Sequence, residues 1–155
     1  AFAPKHRWAM DWYYPVLAGV FGGDEGAAHL DERLDTFYLE GRGIRCVSDR
    51  PWITAAETCE CLLAYLSVGR TDFALELFRQ AQTLRSEDGY YWTGIVYPDQ
   101  VHFPADKRST YTAAAVILAA DALAQASPAS RLFTDHSFLP EAALDETHED
   151  EPSLD

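Results

Sequence analysis

The stretch RPWITAAETCECLLAYL, residues 50–66, is apolar around nearly the whole of a helical wheel, yet carries Glu57 and Glu60 in its middle. A helix without a broad polar stripe is one packed on all sides. Residues three apart share a helix face. The two carboxylates must therefore meet either a cavity, where a desolvated carboxyl could act as acid or base, or partners that offset the cost of burying them.

Outward from this segment, helical periodicity dominates the chain. Candidate helices cover residues 8–21, 25–40, 52–68, 72–85 and 110–125, and a short one follows Pro128, a residue suited to a first helical position. Gly22-Gly23-Asp24 and Gly69-Arg70-Thr71-Asp72 break and restart the chain between helices. The intervals 41–51 and 86–108 contain Gly, Pro and aromatics and read as structured loops.

The segments also repeat. RPWITAAE from Arg50 aligns with RSTYTAAA from Arg108, placing Ile53-Thr54-Ala55-Ala56 against Tyr111-Thr112-Ala113-Ala114, and RWAMDWYY from Arg7 fits the register more loosely. Each opens an apolar helix, and the first two helices of this kind are followed by a turn and a more amphipathic helix. The expected fold is all-α: about three α-hairpins forming an arc or part of an α/α toroid, with parallel inner helices, over residues 1–140.

The 155 residues suffice for one domain with a real core. The net charge of −13 is unevenly spread, because residues 141–155 hold seven acidic residues and no Lys or Arg, which leaves 18 acidic against 12 basic elsewhere. That acidic stretch reads as a solvated, disordered tail. The acidic body has no basic stripe, so no nucleic-acid partner is expected. Cys46, Cys59 and Cys61 are odd in number and lack framework spacing, which suits a reduced, cytoplasmic setting. There is no signal-peptide pattern and no apolar run of membrane length. A start without Met reads as processing or as a piece of a longer chain.

In LFRQAQTLRSEDGYYWTG, residues 77–94, Gln82, Asp88-Gly89 and Trp92 follow an amphipathic helix. This resembles the Gln…Asp-Gly…Trp turn of the terpenoid cyclase and protein prenyltransferase superfamily. The wider stretch from Arg7 to Leu123 looks like the C-terminal half of bacterial prenyltransferase-like proteins, about three quarters of the chain. The resemblance implies an α/α toroid completed by a missing N-terminal half or by self-association, and transferase chemistry on an isoprenoid diphosphate. The cyclases' Asp-x-Asp-Asp run is absent. Glu57-x-Cys59 with His102 is the nearest match to the prenyltransferase zinc set, and neither a metal nor another cofactor is read from the sequence.

Candidate site residues follow. Arg7, Arg50 and Arg108 stand just before the three inner helices, where free N–H groups and the helix dipole favour anions, and each guanidinium fits phosphate or carboxylate. Alternatively they pair with loop carboxylates such as Asp49, Asp99 and Asp106. Trp8, Trp12, Trp52 and Tyr111 would line the apolar part of the ligand site. Glu57 is the candidate for proton transfer. Asp11, set among Trp8, Trp12 and Tyr14, suggests instead a sugar cleft in which Asp11, Asp49 or Glu57 form an acid–base pair, as in six-hairpin glycosidases. A third reading is a non-catalytic interaction module with an exposed aromatic edge.

Overall fold

The computed structural model describes residues 5–137, so the acidic stretch 141–155 lies outside the described residues. Five α-helices and five short strands follow in the order α1 (Met10–Leu17), α2 (Gly23–Phe37), β1 (Tyr38–Leu39), β2 (Gly43–Ile44), β3 (Trp52–Thr54), α3 (Ala55–Ser67), α4 (Thr71–Ala81), β4 (Gly94–Val96), β5 (Val101–Phe103) and α5 (Thr110–Ala124). Short 3-10 turns follow α4 (Gln82–Leu84) and α5 (Pro128–Arg131).

Helix α3 is the hub, packing against α1, α4 and α5. Cys59, Cys61, Leu62, Leu63, Ala64 and Tyr65 are all buried, as its apolar sequence requires. A fully buried Leu contributes about 1.5–3 kcal/mol through removal from water. Trp12 of α1 is also buried and stacks on Phe37 at 5.3 Å, which ties α1 to the end of α2.

The all-α expectation is wrong. The strands form two antiparallel sheets, β1–β2 and β3–β4–β5, so the chain is a mixed helix–sheet structure rather than a pure α/α toroid. In the larger sheet Trp52 lies opposite Val96 and Thr54 opposite Gly94. Gly94 is needed at this crossing, because a Cβ there would lie 2.6 Å from the Ile53 carbonyl oxygen.

The sheets and their bridges join the beginnings of three helices. The Ala9 N–H donates to Cys46 O at 3.1 Å, Cys46 N–H to Trp52 O at 2.9 Å, Ala55 N–H to Thr93 O at 3.1 Å and Thr93 N–H to Lys107 O at 3.1 Å. The starts of α1, α3 and α5 therefore share one strand layer. Thr58 pins this layer to α3: its hydroxyl donates to Thr54 O at 2.7 Å and accepts from Ile44 N–H at 3.0 Å.

The internal repeat is also corrected. Ile53-Thr54 is strand, whereas the aligned Tyr111-Thr112 is the first turn of α5. Ser109 caps α5, its hydroxyl accepting from Thr112 N–H at 3.1 Å. Arg108 thus stands beside a helix cap, while the whole of β3 separates Arg50 from α3. At the other end of the chain, α1 is shorter than the pattern 8–21 suggested and contains Pro15.

Candidate functional site

Helices α1, α3 and α5 leave between them an open cavity of about 480 Å³, a size suited to a small-molecule ligand. Helix α3 contributes Glu60 and Leu63, α5 contributes Tyr111, Ala114 and Leu118, and α1 contributes Tyr14 and Leu17. Phe133, beyond the turn after α5, closes one side.

Glu60 is the charged side chain lining this space. Its carboxylate accepts hydrogen bonds from Tyr13 Oη at 2.6 Å, Tyr14 Oη at 3.3 Å and Tyr111 Oη. The three phenols come from the two helices flanking α3, so the carboxylate also links them. Burial, reinforced by the nearby Glu60 charge, pushes the Tyr13 and Tyr111 hydroxyls above the usual phenol range. They remain hydrogen-bond donors at any ordinary pH. Tyr13 is fully buried, whereas Tyr14 and Tyr111 reach solvent at the cavity mouth.

Glu57 lies one turn nearer the start of α3 and is not among the residues lining the cavity. Its burial raises its pKa; hydrogen bonding in the first turn offsets part of the shift, and the Glu60 charge adds to it. The chain therefore holds two neighbouring carboxyls in unlike surroundings: one in a cage of phenols at a cavity, the other in a partly dry pocket that favours the protonated form.

The remaining sequence-derived candidates do not converge. Arg7 pairs with Asp49 at 3.3 Å and lies over Trp8 at 4.9 Å. Arg108 pairs with Asp88 and lies over Trp92 at 4.1 Å. Arg50 is exposed and forms no ion pair among the described residues. Trp12 is buried in the core, and its indole N–H donates to His29 O at 3.3 Å. Trp52 stacks on Phe103 at 4.6 Å. Asp11 is half-buried on α1, and Tyr111 alone of the aromatic candidates lines the cavity.

The sequence offers Glu60 with Glu57 as a carboxylate that could face a cavity and sets Tyr14 among the aromatics around Asp11, but it assigns no role to Tyr13 and does not join either tyrosine to Glu60. The signal was nevertheless present, since Glu60 is in phase with Leu63 on α3 and the pair Tyr13-Tyr14 lies on the adjoining apolar helix.

The turn that resembled the prenyltransferase motif acts as a clasp. Tyr91 Oη donates to Gln82 at 2.6 Å, Asp88 holds Arg108, and Trp92 is stacked on His102 at 4.0 Å as well as lying beneath Arg108. It anchors the start of α5 to the end of α4. Among the described residues, no cluster of three His, Cys, Asp or Glu side chains could hold a metal, and no helix is long and apolar enough to cross a membrane.

No protein-family model matches the chain. Over 133 residues, or 86% of its length, the chain is 50% identical to the MMP endo-(1,4)-3-O-methyl-α-D-mannosidase of Mycolicibacterium hassiacum. The match spans 37% of that relative's length. The relative is a glycosidase, which together with the sheets overturns the prenyltransferase resemblance and the keywords attached to it.

Proposed function

We propose that the chain takes part in carbohydrate processing, as a portion of a glycosidase acting on O-methylated α-mannosides, and that the cavity below Glu60 receives the sugar. The observation that carries this reading is the 50% identity to the mannosidase over most of the chain. The cavity is consistent with it: a methylated sugar is amphipathic, and so is a space with a carboxylate and phenol hydroxyls on one side and Leu, Ala and Phe on the other.

Glycoside hydrolysis uses two carboxyl groups, one protonating the leaving oxygen and one acting as base or nucleophile. In this reading Glu60 is the carboxylate that faces the sugar. Glu57, which burial favours in its protonated form, lies outside the cavity lining and serves as proton donor only where the sugar extends toward the start of α3. The domain reading, one folded body over 1–140 with an acidic extension, is retained as part of the proposal.

The test is titration of the full 155-residue chain with α-(1,4)-linked 3-O-methylmannose oligosaccharides, followed by calorimetry, with products followed by mass spectrometry. Saturable binding is expected, weakened by Glu60→Ala, and any cleavage should disappear in Glu57→Gln. A folded chain that binds none of these sugars at millimolar concentration overturns the reading.

A further inference from the structure

Among the described residues, no Lys, Arg or His joins Glu60 in lining the cavity between α1, α3 and α5. Nor does its carboxylate form an ion pair among them. Its partners are the hydroxyls of Tyr13, Tyr14 and Tyr111. Hydrogen bonds from neutral phenols stabilise a carboxylate without cancelling its charge. The cavity therefore keeps a net negative charge, and its apolar walls screen that charge far less than water does. A neutral sugar has nothing to match it.

The aromatic walls point the same way. The hydroxyls of Tyr14 and Tyr111 meet at Glu60, so both rings flank the carboxylate at the mouth, and Phe133 closes another side. Tyr14 is steadied by Tyr13, whose ring meets it at 5.2 Å and 73°. The face of an aromatic ring is negative and attracts a cation within about 6 Å of its centre. A cation that carries N–H groups needs an acceptor for each. Glu60 has about one lone-pair site left of about four, since three hydroxyls already donate to it. A fully alkylated ammonium has no N–H to satisfy, and its alkyl surface suits Leu63, Ala114 and Leu118.

We propose that this cavity binds a small quaternary ammonium ion, its charge held beside Glu60 between the rings of Tyr14 and Tyr111 and its alkyl groups against Leu63 and Leu118. The inference goes beyond the mannoside reading and does not rest on it. Cation and sugar take the same space and exclude one another.

The test titrates the full chain with choline and with tert-butylethanol, its uncharged isostere in which carbon replaces nitrogen, followed by NMR of leucine and alanine methyl groups. Choline is expected to bind about tenfold more tightly, within the roughly two- to thirtyfold that one aromatic face contributes to holding a cation. Saturable shifts are expected at Leu17, Leu63, Ala114 and Leu118. Added salt should weaken choline and leave the alcohol unchanged. Glu60→Gln keeps an acceptor for the phenols without the charge and should bring the two affinities together. Tyr111→Leu, at an exposed position, removes one ring and should also lower the ratio; it decides the matter if circular dichroism shows Glu60→Gln to be unfolded. Phosphocholine should bind more weakly than choline, because its phosphate brings a second negative charge to Glu60; tighter binding would overturn the free cation in favour of a lipid headgroup. No binding of choline, equal affinity of choline and the alcohol for the wild type, or an unchanged ratio in every folded variant overturns the cation site and leaves the sugar reading in place. Failure of mannosides to bind, with choline bound as expected, overturns the sugar reading alone.

Discussion

Tyr13 of α1 donates its hydroxyl to Glu60 of α3 at 2.6 Å, from a position with no exposure to solvent. This bond crosses the interface between the first helix and the hub, and it explains how an apolar helix accommodates a carboxylate. Hydrogen bonds to charged groups contribute about 1.5–3 kcal/mol. Tyr13→Phe should lose a stability in that range, measured by urea unfolding. Tyr14→Phe, with its longer 3.3 Å contact at an exposed position, should lose much less. Equal effects of the two would argue against a special role for the buried bond.

Glu57 should weaken the fold as pH rises. Its folded pKa is raised above the ordinary glutamate value of 4.5, so the unfolded chain releases the proton first. Stability is therefore fully present below that value and is lost as pH climbs through the raised folded pKa. Glu57→Gln carries no such penalty. The melting temperature of the variant relative to wild type should rise from about pH 4 to neutrality. A difference that is constant or falls with pH would place Glu57 in a favourable ionised pairing.

Much of the helical skeleton was legible because long periodic segments announce themselves: residues 52–68 and 110–125 correspond to α3 and α5 within a few positions. The strands were not. Each has two or three residues, too short for alternation to register, and β3 was absorbed into the start of a helix because Ile53-Thr54 sits directly before Ala55. The apparent repeat made the same error, equating a strand with a first helical turn. Of the candidates read from the sequence, Tyr111 lines the cavity, whereas Glu57 lies one turn from Glu60 and outside the lining. The cage around Glu60 depends on which face α1 turns to α3, which one helix's sequence does not fix. The arginine rim was suggested by spacing alone, but Asp49 and Asp88 hold Arg7 and Arg108.

The three cysteines should be silent in the folded protein. All are free and buried, and burial pushes the thiols of Cys46 and Cys59 up to about 12, with Cys61 also raised. Thiolate is the reactive form. Ellman's reagent at neutral pH should label none of the three quickly and all three after denaturation. Rapid labelling of one thiol in the native state would show that its segment opens readily.

Gly43 should resist substitution more than Gly41. Its φ is 128°, and a Cβ there would lie 2.8 Å from Thr58 Oγ1, the atom that holds β2 on α3, whereas a Cβ at Gly41 would meet open space. Gly43→Ala is expected to cost about 1–3 kcal/mol from backbone strain and to disturb the Thr58 bond, with a smaller loss for Gly41→Ala. Thermal unfolding of both variants checks the order.

The most direct measurement of the central claim, that a methylated mannoside enters the cavity between α1, α3 and α5, is methyl-detected NMR of the chain labelled at leucine and alanine, titrated with a 3-O-methylmannose oligosaccharide. Saturable shifts at Leu17, Leu63, Ala114 and Leu118 are expected, together with contacts from the sugar O-methyl protons to Leu63 or Leu118. A folded protein whose cavity leucines and Ala114 do not respond, or whose responses lie only at the Asp88–Trp92 turn, would contradict it.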